Sequence, residues 1–105
     1  MENLQIQQGD VLLSLIEFIP KSAKKLNHLT LAEGELTGHH HTVECEDQKA
    51  LLFSDNGNLY LDVLGDSVEL KHQEHLSVTI HKGKYKVGIV QEYDYDKEES
   101  IMVKD

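Results

Sequence analysis

Gly34-Glu35-Leu36-Thr37-Gly38-His39-His40-His41 sets three of the chain's seven histidines side by side, directly behind two glycines. Neutral imidazole is the commonest protein ligand for divalent transition metals. Side chains alternate between faces in an extended segment, so His39 and His41 project together and His40 points away. Two imidazoles supply only part of a metal site, because zinc takes four ligands, or three and a water. The rest are expected from His72-Gln73-Glu74-His75, the only other segment holding two histidines and a carboxylate. His75 is the expected third ligand, with Glu74 or His72 assisting. The chemistry indicated is binding of a divalent metal of the zinc, iron or nickel class. With a coordination position left open, the metal would activate water or hold an oxygen-bearing small-molecule ligand.

Other residues carry weaker signals. Glu35 can orient a ligand histidine or act as a base on metal-bound water, whereas Thr37 reads as turn chemistry. His40 is expected on the solvent face, and His28 and His81 have no companion at ligand spacing. Cys45 reads as a small buried hydrophobe. Nucleophilic catalysis lacks its motifs: no Gly-x-Ser-x-Gly elbow is present, and no basic residue adjoins Cys45. Without an evident general base, a binding role is preferred to an enzyme. The competing reading is a structural or interaction module of phage or plasmid type, compatible with a homo-oligomer, whose histidines form a polar cluster without metal. A histidine-driven, pH-sensing assembly is a third.

Composition narrows the partners. Nineteen acidic residues against ten basic ones give a net charge of −9 with neutral histidines. Such a surface repels phosphate backbones, so no nucleic-acid partner is expected. The one basic cluster, Lys21, Lys24 and Lys25, has no aromatic interleaving. No run is long enough to span a bilayer as a helix, and no signal-peptide pattern is evident, so a cytoplasmic protein without a membrane partner is expected. The lone cysteine forbids an intramolecular disulfide.

The elements that must position the histidines read as strands, in one domain over residues 1–105 with an acidic tail at 94–105. Leu4–Gln7 alternates as a short edge strand, ended by a Gln8-Gly9-Asp10 turn. Val11–Ile19, apolar on both faces, reads as a central buried strand stopped by Pro20. Lys21–Asn27 is a loop, His28–Ala32 a strand, and His39–Glu46 a strand whose odd face carries His39, His41, Val43 and Cys45. Lys49–Phe53 and Leu59–Leu64 flank Asn56-Gly57, the strongest hairpin signal in the chain. Gly65-Asp66 and Lys82-Gly83-Lys84 read as turns. Between them Ser67–His72 places His72 on the buried face with Val68 and Leu70, and Leu76–Ile80 is a further strand. Tyr85–Tyr93 is the last long strand. Tyr93 and Tyr95 with the acidic residues after them read as a solvated tail. Short strands with frequent turn signals and no amphipathic helical window indicate an all-β antiparallel barrel or sandwich of about eight strands.

Two family resemblances attach to these motifs. Gly34 with His39, His41 and a following Glu44 or Glu46 is similar to the first metal motif of the cupins, β-barrels that hold metal through two histidines, a carboxylate and a later histidine. Here the glycine stands one residue too near His39, Glu44 is too near His41, and the second cupin motif is absent. The chain more closely resembles a group of short, functionally uncharacterised bacterial and phage proteins. The shared features are Gln8-Gly9-Asp10, Leu31 through His41, His72 through His75, Gly83 with Tyr85, and Glu92-Tyr93-Asp94. That resemblance implies that His39, His41, His72, Glu74 and His75 form one cluster. It implies no activity.

Overall fold

The computed structural model describes residues 5–33, 39–46 and 48–89. The bend at 34–38 (with Glu35 and Thr37) and the segment from Val90 onward (with Tyr93, Tyr95 and the acidic tail) lie outside the described residues. Among the described residues eight strands form one sheet: β1 (Gln5–Gln8), β2 (Val11–Ile16), β3 (Lys24–Lys25), β4 (Thr30–Glu33), β5 (His40–Glu44), β6 (Ala50–Asp55), β7 (Asn58–Lys71) and β8 (Val78–Ile89). Every pairing is antiparallel, and the order is β1-β2-β8-β7-β5-β4, with β6 bridging β3 and β7. The sheet curls into a half-barrel, and the expected all-β class is borne out.

Two long strands make the curl. Gly65-Asp66, expected as a turn, lies inside β7, and Lys82-Gly83-Lys84 lies inside β8. Between the pairs Val63↔Gly83 and Ser67↔His81, three residues of β7 (Leu64, Gly65 and Asp66) stand against one of β8 (Lys82). The extra residues are a bulge, which bends the strand and sharpens its twist. The bulge is tied down by Lys49 O, which accepts from Leu64 N at 2.8 Å and Gly65 N at 3.1 Å. Glycine inside a strand often marks such a kink rather than a turn, and this ambiguity is what misdirects the sequence reading. The bulge also divides the outer edge of β7, whose first half pairs with β6 and whose last residues pair with β5.

Alternation along the long strands builds the core. Val11 and Leu13 of β2, Leu61, Val63, Val68 and Leu70 of β7, and Ile80 and Tyr85 of β8 are all buried on one face, joined by Leu52 of β6. Tyr85 satisfies its hydroxyl by donating to His81 O at 2.7 Å. β2 departs from expectation: it stops at Ile16, buries one face only, and leaves Leu15 and Phe18 exposed. The lysine-rich loop contributes one short pairing, β3 against β6.

Candidate functional site

Three segments meet at one end of the half-barrel: the β1–β2 turn, the start of β5, and the β7–β8 connection. The strand alternation of β5 works as expected over its first residues, burying His41 and Val43 on the core side. The β7–β8 connection is fastened to β5 by His40 N, which donates to Gln73 Oε1 at 2.9 Å. Within the connection Glu74 N donates to His72 Nδ1 at 3.0 Å.

The fastening brings four imidazoles together. The His72 ring centroid lies 4.3 Å from that of His41, 4.5 Å from His75 and 5.5 Å from His39. His41 and His75 are near-parallel at 5.8 Å. Carboxylates stand at two points of the rim: Glu74 Oε2 is 3.6 Å from His39 Nδ1, and Asp10 Oδ1 is 3.3 Å from His41 Nε2. His39 and His41 thus lie beside His72, Glu74 and His75, which come from a segment more than thirty positions away. Burial pushes the His41 imidazole below its ordinary value, helped by the neighbouring His72 and opposed by Asp10. The same forces lower His72: desolvation first, then His75 and His39, with Glu74 and Asp10 opposing. Both rings are thus biased towards the neutral form, the form that offers a lone pair to a metal.

Two members were not anticipated. Gln8, 3% exposed, and His41, 5% exposed, are the two buried polar side chains among the described residues. They bond to each other, His41 Nδ1 to Gln8 Oε1, at 2.8 Å. Asp10 enters from the same turn. The sequence marks Gln8-Gly9-Asp10 as a turn but carries no signal for what the turn faces. Glycine suits this position: its φ is +57°, and a Cβ would sit 2.5 Å from His75 Nε2, so that ring would have to move.

Other expectations divide. His28 is set apart, its Nδ1 accepting from Thr30 N at 3.2 Å. Cys45 is exposed rather than buried, because β5 ends at Glu44 and the alternation does not reach it. His28 and Cys45 line an open groove of about 690 Å³ floored by Leu26, Leu29 and Leu52, which none of the four clustered histidines touches. Among the described residues, no three His, Cys, Asp or Glu side chains have donor atoms grouped as a metal site. The rings pack against one another, and the Nδ1 lone pair of His72 is spent on its own loop.

No described helix is long and apolar enough to cross a membrane. No curated protein and no solved structure matches the chain. One family model does match, over residues 7–90, a span that begins just before Gln8 and closes just after β8, and so takes in all three arms of the histidine cluster. On that match the chain belongs to a family defined by a domain of unknown function, DUF8820.

Proposed function

We propose that this small β protein binds a divalent transition metal at the histidine-rich end of its half-barrel. The observation that carries the reading is the set of three imidazoles around His72, at ring separations of 4.3, 4.5 and 5.5 Å. A common ion would need the rings to turn to other rotamers, and His75, which is exposed, has the room to do so. His41 is the fixed donor, His75 and His39 the adjustable ones, and Glu74 and His72 assist from the rim and the centre. Imidazole with carboxylate suits zinc, iron or nickel.

Dialysis of tag-free protein against zinc or nickel, followed by elemental analysis, tests this. About one equivalent per chain is expected, lost in the His41→Ala, His75→Ala double variant. Substoichiometric metal that the double variant leaves unchanged overturns the reading. That result would favour the interaction module, to which the packed rings and the 90% exposed Leu76 beside them also lend support.

A further inference from the structure

Gln8 determines more than its own position. Its Nε2 donates to two backbone carbonyls, Leu70 O and Leu76 O, each at 2.8 Å. Carbonyl oxygens only accept, so the nitrogen end of the amide is fixed and Oε1 faces His41. An amide oxygen also only accepts, so the hydrogen in the 2.8 Å contact belongs to His41 Nδ1. In the neutral ring the lone pair therefore sits on Nε2.

That lone pair faces Asp10 Oδ1 across 3.3 Å. Two electron-rich atoms at this distance repel unless a proton or a metal cation lies between them, and Asp10 favours either one on this ring. Donors each about 2.0–2.1 Å from a tetrahedral ion stand about 3.3–3.4 Å apart. A charge-assisted N–H···O bond would be shorter, about 2.7–2.9 Å. The spacing accommodates an ion held by both donors.

We infer that the β1–β2 turn is the third arm of the site: Gln8 is a positioning residue that holds His41 as an Nε2 donor, and Asp10 is a carboxylate ligand beside it. The Asp10 half rests on the metal-binding reading. The Gln8 half is a property of the metal-free chain, and so can be tested separately. A nitrogen–carboxylate pair selects zinc, manganese or iron over monovalent copper.

The test is a long-range ¹H–¹⁵N correlation spectrum of the histidine rings in the metal-free full chain at about pH 8, where imidazole is neutral, followed by zinc titration. The expected spectrum shows His41 protonated at Nδ1, reverting to Nε2 in Gln8→Met. Gln8→Met should also weaken zinc binding about 10- to 100-fold, the usual effect of removing a partner that orients a ligand. Asp10→Asn should weaken it at least as much while leaving the tautomer unchanged. A wild-type His41 protonated at Nε2 overturns the role of Gln8, and wild-type zinc affinity in Asp10→Asn overturns the role of Asp10. If the wild type takes up no zinc yet shows the Nδ1–H tautomer, the metal reading and Asp10 fall together and Gln8 stands. Should Gln8→Met fail to fold, the wild-type spectrum and the exposed Asp10→Asn variant still decide both halves.

Discussion

Among the described residues two hairpins close on two-residue loops built around glycine, and one of them belongs to the site. In the β6–β7 hairpin, Asp55 pairs with Asn58, and Asn56 and Gly57 take φ of +52° and +82°. Nothing lies within 4 Å of where a Cβ on Gly57 would be. In the β1–β2 hairpin, Gln8 pairs with Val11 and Gly9 has φ +57°, but there a Cβ would meet His75 at 2.5 Å. One turn reverses the chain, and Asp55 at its start accepts from Ser22 Oγ at 2.9 Å, away from the histidines. The other reverses the chain and also packs against the ring cluster, with Gln8 and Asp10 flanking its glycine. The turns differ locally, φ being positive at both central residues of the first and at the glycine alone in the second, but what ties only the second to the site is long-range packing.

Cutting into the core beneath the plain hairpin should have the largest effect on stability. Leu61 lies on the half of β7 that pairs with β6, opposite Leu52, and is fully buried. Leu61→Ala should lower unfolding free energy by about 2–5 kcal/mol in a urea titration, while zinc affinity of the folded fraction is unchanged. A loss of zinc affinity in that variant would mean that the two ends of β7 are not independent. The glycines come next. Gly57→Ala and Gly9→Ala should each cost about 1 kcal/mol, because alanine resists positive φ. Only Gly9→Ala should also weaken zinc binding, by displacing His75. Equal effects on zinc would dissolve the distinction between the turns.

The same contrast explains how much was legible beforehand. Asn56-Gly57 announced its hairpin because its signal is local, and β5 announced its buried histidine because alternation is local too. Gly65 and Gly83 read as turns because glycine inside a long strand, at a bulge or opposite one, has the same local composition as a turn. The joining of His39 and His41 with His72 and His75 was anticipated on ligand type and on a resemblance. Gln8 was not, because a buried glutamine between two glutamines and a turn looks like any polar strand end. Its role exists only once Leu70, Leu76 and His41 are brought to it.

Acid should also separate the two ends. The unfolded chain protonates its imidazoles near about pH 6.5. In the folded chain burial and neighbouring rings hold His41 and His72 lower. Between those values the unfolded state binds more protons, so stability falls as pH drops through about 6.5 towards the folded values and is unaffected above them. Urea midpoints of metal-free protein should coincide from about pH 8 to 7 and decline towards about 5.5. The His41→Ala, His72→Ala double variant should show a shallower decline, whereas Leu61→Ala should keep the wild-type slope. A decline that survives the double variant would place the acid-sensitive groups elsewhere.

The smallest effect is expected at the rim. Glu74 is 69% exposed and its oxygen stands 3.6 Å from His39 Nδ1, too long for a strong hydrogen bond and open to solvent screening. Glu74→Gln should therefore change stability by less than about 0.5 kcal/mol, within reach of a careful urea comparison at two salt concentrations. Its backbone N–H, which orients His72, is untouched by the substitution. If zinc affinity nonetheless falls as far as in Asp10→Asn, the rim carboxylate is a ligand and the fixed donor pair at His41 is not the heart of the site. If zinc affinity barely moves, Glu74 serves through its main chain, and the carboxylate that matters is the one supplied by the β1–β2 turn.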